Sequence, residues 1–235
     1  MSRTVLVTGG TDGIGREIVR ALAARGDRVI ATGRRVGGDG FAPQPGVRYL
    51  RVDQLDPEAA ARLLAAEAEG VDVAILNAGT GTLATGGTEG ADAIRRTLRV
   101  NLTATILIAH ALAPALLERG GTLGLIGSTA RRGAALLPAY AASKAGLHGF
   151  ARALGEEWRG RASVVLLHPG PTRTDMQRKA GLDVGGMARL FVPAPLAARA
   201  ILARVDAAHG RRRPVIANAA HGAAMRRWLA ERVGA

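Results

Sequence analysis

The stretch "TVLVTGGTDGIG", residues 4–15, decides the fold because it joins a strand pattern to a helix pattern through a glycine-rich turn. Its first residues form a short apolar run, which is typical of a strand buried in a parallel sheet. Residues 14–25 then carry apolar side chains at the spacing of one helical face. A strand that enters a helix through a tight turn begins a βαβ unit, so we expect a parallel α/β sheet.

Three glycines in this turn, Gly9, Gly13 and Gly15, follow a G-x-x-x-G-x-G spacing. Glycine permits positive φ and lets the backbone approach a bound phosphate closely. A helix that starts near Ile14 directs its free N–H groups and its positive dipole end at such a phosphate. An ordinary tight turn is the alternative. The predicted cofactor-binding residues of the turn are Gly9, Thr11, Asp12, Gly13, Ile14 and Gly15.

Strand and helix patterns alternate along the rest of the chain. Further strands are predicted at residues 28–32, 47–53, 71–79, 122–128 and 162–170, with a weaker seventh at 213–218. Helices are predicted at 57–69, 91–118, 139–158 and 195–208, and a basic helix with Trp228 after the last strand. This alternation predicts an α/β fold, a doubly wound parallel sheet (Rossmann fold) of about seven strands with helices on both faces. Ligands of such sheets bind at the carboxyl ends of the strands.

Length and composition indicate one α/β domain over residues 1–235. Hydrophobic residues make up 48% of the chain, which is enough for a full core, and there are no cysteines for disulfides or thiolate metal sites. No apolar run is expected to reach the roughly 18 residues of a membrane span. The first residues lack the pattern of a secretory signal. A cytoplasmic protein without membrane association is therefore expected.

The formal net charge of +13 arises almost entirely from arginine. Such a charge suits nucleic acid or an acidic partner. The basic residues, however, lie mostly in scattered pairs, and aromatic residues that could stack on bases make up only 3% of the chain. A general bias of composition toward arginine is the favoured interpretation, and nucleic acid is not a predicted partner.

The end of the second predicted strand bears on cofactor choice. In sheets of this type an acidic residue near this point binds the ribose 2′-OH of NAD. Arg34 and Arg35 stand there instead and are suited to a 2′-phosphate, so NADP(H) is predicted in preference to NAD(H). Two solvated arginines are the alternative. Asp53, at the end of the third strand, is predicted either to accept from the adenine amino group or to cap a turn.

Tyr140 and Lys144 stand four residues apart in "YAASK", in a chain with only two tyrosines and two lysines. On a helix these positions share one face. The ordinary pKa of tyrosine is about 10, and a neighbouring ammonium is expected to lower it toward the range useful for acid–base catalysis. The second lysine, Lys179, is assigned no role.

These segments together resemble the short-chain dehydrogenase/reductase family of the short, single-domain, NADP-preferring type, over roughly the first 175 residues. The matching segments, in order, are "TGGTDGIG" at 8–15, "NAG" at 77–79, Asn101, Ser128, "YAASK" at 140–144 and "PGPTRT" at 169–174.

The resemblance implies a role for each matching residue. Tyr140 is the general acid/base, Ser128 polarises the substrate oxygen, Lys144 holds the nicotinamide ribose and tunes Tyr140, and Asn101 holds a water of a proton relay. The implied catalytic residues are Asn101, Ser128, Tyr140 and Lys144. Tyr140 and Lys144 also count among the cofactor-binding residues, together with Asn77, Ala78, Gly79, Pro169, Gly170 and Thr172.

Substrate specificity is expected from residues 129–138 and from a lid at about residues 171–193. Met176, Met187, Leu190 and Phe191 of this lid are candidates to cover an apolar substrate or to pack without a ligand. Arg131 and Arg132 are candidates to bind an anionic substrate or a phosphopantetheine-bearing carrier, although solvated surface arginines are the favoured alternative. The resemblance implies a homodimer through helices 91–118 and 139–158, whereas the basic C-terminal segment departs from the family pattern and puts a tetramer in doubt.

Three functions remain open. The first is an NADP(H)-dependent oxidoreductase that transfers a hydride between nicotinamide and a carbonyl or alcohol carbon of a small or medium organic substrate. The second is a reductase of a 3-oxoacyl group on a carrier protein. The third is a non-catalytic nucleotide-sensing or nucleic-acid-binding Rossmann protein. The five histidines lack metal-ligand spacing, so no metal is predicted. His168, at the end of the sixth strand, is expected either to touch the active site or to pack, and packing is the favoured alternative.

Overall fold

A computed structural model describes residues 2–38, 41–84, 88–181, 185, 189 and 191–218. The first half of the chain forms β1 (Thr4–Thr8), α1 (Gly13–Ala24), β2 (Arg28–Gly33), β3 (Val47–Arg51), α2 (Pro57–Ala66) and β4 (Val73–Leu76). The second half begins with α3 (Ala91–Leu98), a π-helical turn (Arg99–Thr103), α4 (Ala104–Arg119), β5 (Thr122–Ile126) and a 3₁₀ turn (Thr129–Arg132). It continues with α5 (Pro138–Glu157), β6 (Ser163–His168), β7 (Thr172–Arg173), α6 (Met176–Lys179), β8 (Val192–Pro193), α7 (Ala194–Ala208) and β9 (Val215–Asn218).

Seven strands form one parallel sheet in the order β3-β2-β1-β4-β5-β6-β9. The order reverses beside β1, which pairs with β2 on one side and with β4 on the other. The predicted doubly wound sheet is therefore confirmed. Its switch point lies at the carboxyl ends of β1 and β4, where ligands of such sheets bind.

Both faces of the sheet are covered by helices. One face packs Leu64 of α2 and Leu112 of α4 against a buried cluster that also contains Leu123 of β5. The other face packs Ile18 of α1 and Ile201 of α7 against a second cluster. Since apolar strands are buried on both sides, their sequences read as continuous apolar runs, as the prediction assumed.

The helical stretch Ala91–Arg119 is long and apolar enough, by length and composition, to cross a membrane. The expectation that no stretch would reach spanning length is therefore wrong. The fold accounts for the composition, because Ile108, Leu112 and Leu116 are fully buried and α4 packs against α2. A helix that lies in the core of an α/β domain passes the same test of hydropathy.

The predicted lid contains a small sheet of its own. Within the described part of residues 171–193, β7 and β8 pair in parallel and α6 lies between them in sequence. Helix α6 ends with Lys179, and the Val192 N–H of β8 donates to the Pro171 carbonyl at 3.0 Å. The lid residues Met187 and Leu190 and the basic C-terminal helix predicted around Trp228 lie outside the described residues.

Candidate active site

The glycine-rich turn between β1 and α1 is packed closely around its glycines. Gly9 and Gly13 have φ of 66° and 50°, in the left-handed region that favours glycine. A Cβ at Gly15 would lie 2.5 Å from Asn77 Nδ2 and closer still to the Gly9 carbonyl oxygen. Asp12 is the N-cap of α1 and accepts from the Gly13 N–H at 2.7 Å. The predicted turn residues thus lie together where β1 ends and α1 begins.

Asp12 also binds two basic side chains. Its Oδ2 accepts from Arg35 Nη2 at 3.1 Å and from Lys179 Nζ of α6. Burial opposes ionisation of Asp12, but the hydrogen bonds of Lys179 and Gly13 and the charges of Lys179 and Arg35 together hold its pKa below the ordinary value. Lys179, to which the sequence analysis assigned no role, therefore ties the lid to the glycine-rich turn. The rarity of lysine in this chain was the one signal for it.

Thr8, at the end of β1, fixes the predicted segment at 77–79 beside the turn. Its Oγ1 accepts from the Asn77 N–H at 3.0 Å and from the Ala78 N–H at 3.1 Å. Asn77 Nδ2 donates to the Thr8 carbonyl at 3.2 Å. A Cβ at Gly79 would lie 3.7 Å from Lys144 Nζ. The carboxyl end of β4 therefore connects the glycine-rich turn with the Tyr140–Lys144 region.

Asn101 is buried on the π-helical turn, and its amide holds two neighbouring segments. Its Oδ1 accepts from the Thr80 N–H at 2.7 Å, and its Nδ2 donates to the Thr80 carbonyl at 2.8 Å. Its Nδ2 also lies 3.1 Å from Ser143 Oγ on α5. The side chain thus holds the loop after β4 against α5, and its part in a proton relay stays a prediction.

Ser128 and Tyr140 form the centre of the candidate site. Ser128 follows β5 and its Oγ accepts from the Ala130 N–H at 3.1 Å, and Tyr140 lies in the first turn of α5. Burial raises the pKa of Tyr140, and the nearby Ser128 side chain opposes this with a smaller effect, so the pKa lies above its ordinary value. The expectation of a lowered pKa is therefore wrong, because the cost of placing a phenolate in this buried setting outweighs its stabilisation.

Lys144 lies one helical turn after Tyr140, on the same face of α5. Its Nζ is 5.7 Å from the centroid of the Tyr140 ring and donates to the Ile126 carbonyl of β5 at 2.8 Å. The side chain is 4% exposed, and burial lowers its pKa to about 8. At neutral pH the ammonium form still prevails, so a positive charge lies beside the phenol.

The turn after β6 is the last predicted cofactor segment. The Pro169 carbonyl accepts from the Thr129 N–H at 3.1 Å, which ties this turn to the segment that follows Ser128. Thr172 is buried, and its Oγ1 donates to the Gly170 carbonyl at 3.0 Å.

Asp53 lies farther along the same edge of the sheet. Its Oδ1 accepts from the Leu55 N–H at 3.0 Å, which is the turn-capping alternative that the sequence analysis left open. The carboxylate is exposed, so contact with an adenine amino group stays a prediction.

His168, the last residue of β6, contacts this region. Its Nδ1 accepts from the Ser128 N–H at 3.2 Å. This contact matches the less favoured of the two alternatives that its place at the end of the strand offered. The burial of His168, with 1% of its surface exposed, agrees with the packing.

The site as a whole fits nicotinamide adenine dinucleotide phosphate, NADP(H). A Cβ at Gly13 would lie 3.3 Å from Thr174 Cγ2, so the glycine-rich turn and the lid border one region. Arg34 and Arg35 are exposed at the end of β2, where a 2′-phosphate would be held. The Ser128–Tyr140 pair lies at the other end of the same edge of the sheet. The structure thus brings the predicted residues to the carboxyl ends of the strands.

Known proteins of similar sequence and structure agree with this geometry. The chain is 31% identical over 229 residues to D-threitol dehydrogenase of Mycolicibacterium smegmatis, covering 88% of this chain and 87% of that protein. It is 33% identical over 200 residues to the 3-oxoacyl-acyl-carrier-protein reductase MabA of Mycobacterium tuberculosis, covering 83% and 79%.

A similar solved structure is a short chain dehydrogenase from Burkholderia cenocepacia in complex with NADP. It has a TM-score of 0.77 and 26% identity, and the match covers 99% of this chain and 97% of that one. The family model of the short chain dehydrogenases matches residues 3–184. The chain therefore belongs to the short-chain dehydrogenase/reductase family.

Proposed function

We propose that this protein is an NADP(H)-dependent oxidoreductase that interconverts a carbonyl and an alcohol on a small or medium organic substrate. The observation that carries the proposal is that Tyr140 and Lys144 share one face of α5, with Lys144 Nζ 5.7 Å from the centroid of the phenol ring and the Ser128 side chain near enough to lower the pKa of Tyr140. An acid that can protonate an oxygen, a donor that can polarise it and a nearby cation are the groups that carbonyl reduction requires.

Each side chain has a distinct part in this chemistry. When bound, the nicotinamide supplies or accepts the hydride. Tyr140 holds its proton at neutral pH, since the ordinary pKa of tyrosine is about 10 and burial raises it further, so it donates that proton to the substrate oxygen in the direction of reduction. Ser128 donates a hydrogen bond to the same oxygen. Lys144 stabilises the phenolate that remains and is placed to donate to the ribose hydroxyls.

The preference for NADP(H) rests on the end of β2. Arg34 and Arg35 are exposed there in place of the acid that binds the ribose of NAD. The similar short chain dehydrogenase from Burkholderia cenocepacia was solved in complex with NADP, which supports the same cofactor for this chain. We expect a clear preference for NADPH over NADH in any reduction that the protein catalyses.

The test is the substitution Tyr140→Phe. It removes the acidic O–H and leaves the ring, so the variant should fold, bind NADPH and lose nearly all turnover, since acid–base catalysis contributes about 10²–10⁴ in rate. The chain offers a matched control in its other tyrosine, Tyr49, whose oxygen accepts from the Gln44 N–H at 3.2 Å. Tyr49→Phe should keep normal turnover. Near-normal activity of Tyr140→Phe would refute the mechanism.

The assay requires a substrate. Oxidation of NADPH should be followed across ketones, aldehydes and quinones, and repeated with NADH. We propose that the lid at residues 171–193 selects among them, because the Met176 methyl group lies near Gly81, and a Cβ at Gly81 would be 3.3 Å from Tyr140 Cδ2. We also propose a single-domain, cytoplasmic homodimer, which size-exclusion chromatography with light scattering would test.

A second candidate is reduction of a 3-oxoacyl group on an acidic carrier protein. Two observations favour it: the similarity to MabA and the formal net charge of +13. Binding of an acidic carrier to an arginine-rich surface should weaken strongly with salt. The Michaelis constant for an acyl-carrier substrate would then rise with ionic strength, whereas that for a free ketone would not.

A further inference from the structure

Two histidine rings form a hydrogen-bonded series that ends on the backbone N–H of Ser128. His168 is the last residue of β6, and its Nδ1 accepts from the Ser128 N–H at 3.2 Å. Its Nε2 lies 3.0 Å from Nδ1 of His148 on α5. The two rings are stacked, with centroids 5.2 Å apart and an interplanar angle of 29°. These hydrogen bonds therefore connect α5, through the end of β6, to the segment that follows β5.

The hydrogen bonds determine the tautomer of each ring. The Ser128 N–H is a donor, so His168 Nδ1 must be unprotonated. A neutral His168 then carries its proton on Nε2 and donates it to His148 Nδ1. His148 in turn keeps Nδ1 unprotonated. Protonation of either ring at Nδ1 would set two donors against each other and break one of the bonds.

The surrounding residues make room for this arrangement and keep it neutral. A Cβ at Gly127 would lie 2.7 Å from His168 Cε1, so glycine is needed beside the ring. On α5, His148 follows Lys144 by four residues and shares its face.

Positive charge and burial act together on both rings. Burial is the largest of the effects that lower the pKa of His168 to about 4, and the charge of Arg131 and the neighbouring His148 act in the same direction. Burial and the charges of Arg131 and Arg152 also lower the pKa of His148. Both rings are therefore neutral near pH 7, as the hydrogen bonds require.

We propose that His168 is a positioning residue for Ser128, and that His148 holds the His168 ring in place by accepting its Nε2–H. The inference rests on the proposed function, in which Ser128 polarises the substrate oxygen. Without the acceptor at His168, the Ser128 N–H loses its partner, and Ser128 can change its conformation between the flanking Gly127–Leu167 and Thr129–Pro169 backbone hydrogen bonds. A misplacement of about 1 Å at a reacting group can lower the rate on the order of 100-fold.

The first arm of the test does not depend on activity. In protein labelled with ¹⁵N-histidine, long-range ¹H–¹⁵N spectra report the tautomer of each ring. Variants in which one histidine at a time is replaced assign the signals. His168 should show the Nε2–H tautomer and stay neutral down to about pH 5. An Nδ1–H tautomer, or titration of His168 near the ordinary pKa of about 6.5, would overturn the proposal even if no substrate is turned over.

The second arm compares two substitutions of one residue. The Oδ1 of asparagine can take the place of His168 Nδ1 as acceptor, whereas leucine cannot. His168→Leu should lower kcat about 10- to 100-fold without changing KM for NADPH, and His168→Asn should recover most of that loss. The exposed His110 supplies the control, because His110→Leu should leave kcat unchanged.

A third measurement separates positioning from a general structural effect. If His168 acts through Ser128, then His168→Leu should cost little further rate in a Ser128→Ala background. Equal losses for the asparagine and leucine variants, or a full loss in the Ser128→Ala background, would contradict the proposal. Should His168→Leu fail to fold, His148→Leu replaces it, because loss of the acceptor for the His168 Nε2–H should also lower kcat, and an unchanged kcat in that variant would contradict the role of His148.

Discussion

Substitution of Gly15 by alanine tests how closely the glycine-rich turn is packed. The added Cβ would lie 2.5 Å from Asn77 Nδ2 and still closer to the Gly9 carbonyl oxygen. An ordinary contact needs about 1 Å more, so the turn must move, and overpacking of this kind costs about 1–3 kcal/mol. For a chain of this size, 2 kcal/mol lowers the Tm by roughly 4–8 °C. The displaced N–H groups should also weaken NADPH binding by at least about tenfold.

Gly149 supplies the matched control, because its Cβ would meet no atom within 4 Å and its φ is not positive. Gly149→Ala lies on α5 and should raise the free energy of unfolding by about 0.4–1 kcal/mol. Urea unfolding gives the stabilities, and quenching of intrinsic fluorescence by NADPH gives the affinities. If Gly15→Ala matched Gly149→Ala in stability and bound NADPH like the wild type, the steric argument would be refuted.

Three further predictions concern charge. Replacing Arg34 and Arg35 by alanine should raise the KM for NADPH about 10- to 100-fold and leave that for NADH unchanged, because charged hydrogen bonds contribute about 1.5–3 kcal/mol. Asp12→Asn keeps an N-cap but removes the charge that holds Arg35, so NADPH should bind a few-fold more tightly, whereas Asp56→Asn at the N-cap of α2 should change nothing. Folding lowers the pKa of His168 from 6.5 to about 4. The free energy of unfolding should therefore fall by up to about 3 kcal/mol as the pH is lowered from 6.5 toward 4, because the unfolded chain binds the proton more readily. Urea unfolding of His168→Asn should show a smaller fall over the same range.

The sheet was predictable because its signals are local. Each buried strand is an apolar run that ends in a turn, and each helix shows its own period, so the order of elements follows from the alternation alone. The bounds differ by a few residues at most ends; for example, the third strand ends at Arg51 and not at Asp53. The π-helical turn at Asn101 was not predicted, because nothing in the local pattern distinguishes it from the α-helix on either side.

Contacts between segments distant in sequence were not predictable in the same way. Lys179 binds Asp12 across 167 positions of the chain, and His168 reaches Ser128 across 40. Each residue also suits a plain solvated or packed role, so only its neighbours in space reveal the contact. The prediction of a lowered pKa for Tyr140 was wrong for a related reason. A lysine four residues later is visible in the sequence, but the burial of the phenol, which raises its pKa, is not.

Burial shifts the three titratable groups of the site toward their neutral forms, and the effects favour one direction of proton transfer. Burial raises the pKa of Tyr140 and lowers the pKa of Lys144 to about 8. It is also the largest cause that lowers the pKa of His168 to about 4. At pH 7 the phenol therefore carries its proton, Lys144 remains charged, and His168 can accept from the Ser128 N–H. This combination suits reduction, in which the phenol must give up a proton. Oxidation would first require removal of that proton against the cost of burial, so its rate should rise with pH while reduction stays nearly constant between pH 6 and about 7.5, within the range where these protonation states persist.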